Sequence, residues 1–478
     1  MLFKSSDERL QKSKLTVLAK KYEHSAFMYT HYPHKRFWSQ NKNDASFKSS
    51  LITLNKQNNL TAMLYVHMPY CQQLCYFCTC HVSITNDYQK VKDYMEILFK
   101  EIDHFSNFLT DNKIKLDVKE IHLGGGSPTF IEEAEFDILC QKLEKIVDIK
   151  LLREFAIEID PRRVDVQKMR YYHSKGINRI SFGIQDFDSK VQNAVNRIQP
   201  VELIDDLLTP EIRDLFKNGI NFDIICGLPH QTVDSIKLTA KECVRLSPER
   251  ICLNYLHYSP VFAPQQKFMI DGKDGRPTKL PDFFERKELF SATQDVLVDG
   301  GYVRTGYDHF AKPFDDVAKA VDQKKVYWNS MGVTPGEYNN IIGLGISSES
   351  TVGNSYFQNF YDMLDYTSSV LSNCFPIYRE YELTDDDLVR KDVIQQIRNY
   401  FEINFSSIEE AHKINFQSYF SDEMTKIKTF EEDEILVIEK NQIRLTETGR
   451  QFTNIVCRVF DKYYSDDLRK KDLGIRVD

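Results

Sequence analysis

The sequence predicts an α/β fold: a partial (β/α)6 barrel, preceded by an N-terminal arm and followed by a mostly helical, winged-helix-like C-terminal domain. Three observations carry that prediction. Six short runs rich in Ile, Val, Leu and Phe recur between residues 62 and 256, and most close on Gly, Asp or Pro. Amphipathic stretches with apolar residues at helical spacing lie between them. Strand and helix alternate roughly every 30 to 50 residues, the pattern of parallel βα units.

Taken in order, residues 1–60 form the expected arm, polar apart from an aromatic and basic island, FMYTHYPHKRFW, from Phe27 to Trp38. The strand candidates AMLYVHM, VKEIHLGG, EFAIEID, INRISFGI, INFDIICG and RICLNYL follow. YQKVKDYMEILFKEIDHFSNFL and FDILCQKLEKIV are helices between them. The stretch from 260 to 282, with its prolines and glycines, reads as a loop. Residues 61–370 are expected to hold the barrel and the segments that follow it, and residues 371–478 the C-terminal domain. In the latter, EILVIEKNQIRLTETG reads as strand, turn and strand, and RQFTNIVCRVFDKYY as a helix. No internal repeat occurs beyond the βα alternation.

Composition narrows the function. The 478 residues carry a net charge of −8, with 42% apolar and 28% charged residues, as in a globular protein with a sizeable core. There is neither a basic balance nor a Lys/Arg stripe, so nucleic acid is not an expected partner. No apolar run approaches the roughly 18 residues of a membrane span, and the polar start lacks a secretory apolar segment. A cytoplasmic monomer is the expectation.

Four of the ten cysteines, Cys71, Cys75, Cys78 and Cys80, fall within the stretch HMPYCQQLCYFCTCH. The other six are scattered and read as small buried hydrophobes. The cluster follows the first strand, so it lies at the C-terminal strand ends, where such barrels place their active sites. Three readings compete for it. A structural zinc site wants four ligands, usually in two separated pairs, and no second pair follows. A redox dithiol needs only Cys-x-x-Cys and leaves two cysteines over. An iron–sulfur cluster takes Cys71, Cys75 and Cys78 from one loop and leaves one iron of a four-iron cubane open. An open iron can chelate the amino and carboxylate groups of S-adenosylmethionine, and an electron from the cluster then releases a 5′-deoxyadenosyl radical. Tyr76 and Phe77 would help keep water off the cluster.

Polar residues recur at the later strand ends. LGGGSPTF places Gly124, Gly125, Gly126 and Ser127 after the second strand; the glycines read as a tight turn or as a place for close ligand approach. Glu158 and Asp160 close the third strand, Gln185 the fourth with Arg197 beyond it, and Asp223 lies on the fifth. Polar groups within apolar strands are costly unless partnered, so their recurrence favours a lined pocket.

The Cys-x-x-x-Cys-x-x-Cys loop resembles that of radical S-adenosylmethionine enzymes. With HLGGGSPT, IEIDPR, GIQDF, DIICGLPHQT, NYLH, DHFAKP, GLGISSES, YTHYPH and LTETGRQFTNIVCRVFDKYY, the chain resembles the oxygen-independent coproporphyrinogen III oxidases of haem biosynthesis from about residue 20 to 465. The resemblance implies a [4Fe-4S] cluster on Cys71, Cys75 and Cys78, with Cys80 beside it. It makes Cys80 and Tyr65 the candidate catalytic residues. It assigns Tyr65, Phe77, Gly125, Gly126, Ser127, Glu158, Gln185, Arg197 and Asp223 to S-adenosylmethionine, and Ile225 and Leu256 to the neighbourhood of a second molecule of it. The implied reaction converts two propionates of coproporphyrinogen III to vinyls, giving protoporphyrinogen IX, with an unidentified electron donor and acceptor. Such a tetrapyrrole carries four carboxylates, for which Lys35 and Arg36 are candidate counter-charges. The sequence departs from the family pattern at Met28, Thr79, Leu256, Tyr307 and Gly332 to Pro335. The alternatives are a paralogue with the same cofactors on another substrate (methyl transfer, cyclopropanation or haem ring opening) and a haem chaperone.

Overall fold

The computed structural model describes residues 14–22, 28–41, 43–217, 219–272 and 277–465. Its main sheet is parallel at the centre. The six expected strands are present as β1 (Thr61–Met68), β2 (Asp117–Gly125), β3 (Glu154–Ile159), β4 (Arg179–Gln185), β5 (Ile220–Cys226) and β6 (Arg250–Tyr255). They lie side by side in chain order and are parallel throughout. In β5 the period of two is plain. Ile220, Phe222, Ile224 and Cys226 enter the main core, which leaves Asn221, Asp223 and Ile225 on the other face.

The crossover helices follow their sequence signals. Tyr88–Asp111 starts where the Asp87 side chain accepts a bond from the Gln89 amide at 3.1 Å. It buries Val91, Met95, Leu98, Ile102, Phe105 and Leu109, spaced three or four apart. Val233–Leu246, between β5 and β6, opens on a capping box formed by Thr232 and Ser235.

Three differences from expectation matter. The sheet continues beyond the six strands: Asn340–Leu344 pairs parallel to β1. Glu349–Val352, Ser355–Asn359, Ile377–Glu382 and Ser39–Gln40 then extend that edge antiparallel. The sheet therefore reaches past residue 370 and back into the expected arm. The run NIIGL is short and buried at every position, so it carries no alternation by which to recognise a strand. The stretch 260–282 is not wholly loop, because it forms a 3-10 turn at Pro264–Lys267 and a helix at Phe268–Asp271. Last, the C-terminal helix is confined to Thr453–Val459.

The C-terminal region contains the helix Asp385–Tyr400, shorter helices, and a three-stranded sheet of Glu402–Asn404, Gln442–Leu445 and Leu436–Ile438. Leu18, Tyr22, Tyr29 and Tyr32 of the arm share its core, so Tyr29 and Tyr32 of the aromatic island are packing material. At the N-terminal end of the barrel, Glu154, Arg179, Arg250 and Asp315 form a buried ionic floor. Among the described residues no helix is long and apolar enough to cross a membrane.

Candidate active site

A cavity of about 370 Å³ opens at the C-terminal ends of the strands, within the range of small-molecule sites. Cys71, Cys75, Phe77, Cys78, Cys80, Gly125, Gly126, Ser127, Glu158, Gln185, Arg197, Asp223, Ile225 and Leu256 all line it. Tyr65 does not. It sits behind the wall, where its hydroxyl meets His67 Nδ1 at 2.9 Å and His67 Nε2 meets the His81 carbonyl at 3.0 Å.

The cysteine loop carries positive charge against its sulfurs. Cys75 Sγ lies 3.6 Å from Arg197 Nη1 and 4.0 Å from Arg162 Nη2. Asp160 holds both guanidiniums, at 3.6 and 2.8 Å. Burial works to raise the Asp160 carboxyl, but the bonds from Arg162 and the charge of Arg197 hold it below the usual range. Burial, followed by the neighbouring Cys78 and Cys75, pushes the Cys71 thiol up to about 12. A hydrogen bond between Cys78 and Cys80 draws Cys78 down and pushes Cys80 well up. Thiols crowded in this way resist ionising together unless a cation compensates them.

That donor set fits an iron–sulfur cluster, whose irons supply the compensation and keep coordinating thiols deprotonated. Among the described residues no three His, Cys, Asp or Glu side chains converge on a single-ion position.

The remaining wall divides into a polar and an apolar part. Glu158 accepts from the Gly125 amide at 3.1 Å and lies 3.2 Å from His122 Nε2. Asp223 accepts from Ser181 Oγ at 3.0 Å and Asn221 Nδ2 at 3.1 Å. Burial, with the charge of Glu158 second, raises its pKa. Gln185 sits at a bulge with φ of 65°, and its Oε1 is buried without a partner among the described residues. A buried acceptor left open at a cavity wall is suited to a ligand donor. Phe77, Ile225 and Leu256 join the apolar cluster around Val191 and Val195.

The structure gives the glycines a reason the sequence does not show. A Cβ at Gly124 would lie 2.7 Å from Glu158 Oε1. One at Gly125, whose φ is 109°, would strike the His67 ring at 2.5 Å. They are small because Glu158 and His67 pack against them.

The candidate counter-charges need correction. Lys35 does not line the cavity; its Nζ is paired with Glu349 at 3.0 Å. Arg36 does not line it either. The cations that do are Arg162, Arg163 and Arg197. Arg162 and Arg163 lie in the 3-10 turn opened by Asp160 and Pro161, a signal visible in IEIDPRR that sequence reasoning did not use. His257 and Asn254 also line the cavity unanticipated. Of the departures from the family pattern, Met28, Thr79 and Leu256 border the cavity, whereas Tyr307 is buried in the main core.

The Radical SAM superfamily model matches residues 65–243. The chain is 32% identical over 459 residues to the oxygen-independent coproporphyrinogen III oxidase of Salmonella typhimurium, covering 96% of this chain and 97% of that one. This chain belongs to the oxygen-independent coproporphyrinogen III oxidase family. The Pseudomonas aeruginosa oxidase is 35% identical over 405 residues, covering 84% of this chain and 85% of its own. The solved structure of coproporphyrinogen III oxidase from Escherichia coli, described as a radical SAM enzyme, aligns with a TM-score of 0.82 at 29% identity. That alignment covers 91% of this chain and 98% of the other. As a radical SAM member of the coproporphyrinogen oxidase family, the chain has a [4Fe-4S] cluster and S-adenosylmethionine as its cofactors.

Proposed function

We propose that this oxidase converts two propionates of coproporphyrinogen III to vinyls, with Cys71, Cys75 and Cys78 holding the cluster. The observation that carries the assignment is the convergence, in one cavity, of three loop thiols, two guanidiniums beside Cys75 and a ring of strand-end polar groups. When bound, the cluster and S-adenosylmethionine supply the one-electron chemistry that starts the decarboxylation.

The chain's own residues orient and exclude. Arg197 and Arg162 set positive charge against the Cys75 sulfur. Gln185, Glu158, Asp223, Ser127 and the Gly125–Gly126 backbone offer complementary donors and acceptors to the amino-acid and ribose groups of S-adenosylmethionine. Phe77 shields the apolar side, and Ile225 and Leu256 extend it toward room for a second molecule. Tyr65 acts from behind through His67, and Cys80, exposed beside Cys78, faces the reacting centre. Arg163, at the cavity edge and without an ion pair among the described residues, is suited to a substrate carboxylate. We further infer a cytoplasmic monomer served by a separate electron donor and acceptor, with an arm, a barrel and a C-terminal domain.

The test is anaerobic. The reconstituted chain is given reductant, S-adenosylmethionine, coproporphyrinogen III and an electron acceptor, and nucleoside and porphyrin products are followed together by mass spectrometry. Loss of two carboxylates coupled to S-adenosylmethionine cleavage is the expected result. Cleavage with coproporphyrinogen untouched would refute the substrate assignment.

A further inference from the structure

The cysteine loop is strapped from two directions, and one strap comes from the segment the sequence presents as loop. On one side, Asn196 Nδ2 donates to the Leu74 carbonyl at 2.7 Å, and the Tyr76 amide donates to the Val195 carbonyl at 3.0 Å. On the other, the 3-10 turn Pro264–Lys267 presents two side-chain amides. Gln265 Nε2 donates to the Cys78 carbonyl at 2.7 Å, and Gln266 Nε2 donates to the Phe77 carbonyl at 3.0 Å. Those carbonyls belong to the peptide groups on either side of Cys78. Gln266 Nε2 also donates to the His257 carbonyl at 2.7 Å, and its Oε1 accepts from the Ser259 amide at 2.5 Å. Its side chain is 0% exposed. One buried amide therefore joins the loop after β1 to the loop after β6.

We propose that Gln265 and Gln266 are positioning residues for the cluster: they fix both peptide planes flanking Cys78 and so aim its sulfur. The proposal rests on the reading of Cys78 as a cluster ligand. The chemistry needs a side-chain donor at 265 and an amide, with both its donor and its acceptor, at 266. A carbonyl accepts only from a donor, so Glu at 265 keeps the shape and loses the bond. Groups one layer behind a metal ligand commonly set metal retention by 10- to 100-fold.

The test uses the full chain with its cluster reconstituted anaerobically. Gln265→Ala, Gln265→Glu and Gln266→Met are compared with the unaltered protein for iron release to a chelator and for the cluster's electron-paramagnetic resonance spectrum. In cluster-free samples, iodoacetamide labelling of Cys78 and amide exchange over residues 76–80 are followed. Iron release about tenfold faster is expected in all three variants, with a changed spectrum and faster labelling and exchange confined to the loop. Gln265→Glu matching the unaltered protein in release, spectrum and exchange would overturn the proposal, since shape alone would then suffice. If Gln266→Met does not fold, the Gln265 pair decides the matter, because that residue is only half-buried. If the unaltered chain assembles no cluster, the ligand reading fails, and loop exchange in the same samples still decides the grip.

Discussion

Asp315→Asn tests what closes the barrel beneath the site. Arg250 Nε donates to both Asp315 oxygens at 2.9 Å, and Arg179 Nε lies 2.7 Å from Glu154 Oε2. The cross pairs, Arg250 with Glu154 and Arg179 with Asp315, are 3.6 and 3.9 Å apart. None of the four side chains is more than 12% exposed. Two guanidiniums thus face two carboxylates, and the substitution leaves them one. Breaking such a buried set by removing one partner costs about 3–5 kcal/mol, a large share of a typical 5–15 kcal/mol total. Asp315 also caps the helix Asp316–Asp322 by accepting from the Val317 amide at 2.8 Å; Asn retains an oxygen for that bond, so the cap is not a second loss. Acid should act on the same floor. Burial works to raise Glu154, but Arg179 and then Arg250 outweigh it and hold its carboxyl at about 2. A depressed folded pKa stabilises fully above the ordinary value of 4.5, and that stabilisation is lost as pH falls toward the folded value. Hydrogen exchange of the β3, β4 and β6 amides in the cluster-free chain, at pH 7 and through the acid range, reads both effects. Protection unchanged to within ~1 kcal/mol in Asp315→Asn would refute the reasoning.

The other predictions concern charge at the site. Arg197→Gln removes the guanidinium 3.6 Å from Cys75 Sγ and should speed iron release to a chelator by about tenfold or more, with far-ultraviolet dichroism unchanged; normal retention would count against that role. Arg163→Gln should raise KM for the tetrapyrrole several-fold while leaving S-adenosylmethionine binding intact, as steady-state kinetics and calorimetry would show. Lys35→Met should leave that KM unchanged and lower stability by no more than about 1 kcal/mol in denaturant titrations, because the Lys35 end of its pair with Glu349 is half exposed and screened by water.

How much was legible in the sequence depended on whether the signal was local. All six barrel strands carry their own apolar period and closing residues, and the cysteine spacing is a complete local pattern. The residues at the strand ends converge because parallel strands bring every C-terminal end to one face. Lys35 misled because its partner Glu349 lies 314 residues away, and adjacency to an aromatic island says nothing about such a pairing. Gln265 and Gln266 could not be read at all: an amide directed at a distant backbone carbonyl leaves no periodicity and no motif. The glycines after β2 were legible as glycines but not as clearance for Glu158 and His67.

These distinctions bear on how the site is built. Packing holds only part of the cysteine loop: Tyr76 and Phe77 lie against the apolar cluster and Cys75 is buried, but Gln73, Thr79 and Cys80 are exposed. What fixes it comes from elsewhere in the chain, through Asn196 and Val195 beyond β4 and through Gln265 and Gln266 beyond β6. Cluster ligands on a surface loop must be held near their final geometry, or metal binding bears the entropy of ordering them. Side-chain amides do this without adding charge, which matters where Cys71, Cys78 and Cys80 already compete over ionisation. Positive charge is instead concentrated at Cys75, where Asp160 keeps Arg162 and Arg197 in place. The straps order the loop and the arginines balance it. Removing a strap should therefore loosen the loop even when no cluster is bound, whereas removing Arg197 should matter chiefly once the sulfurs carry charge.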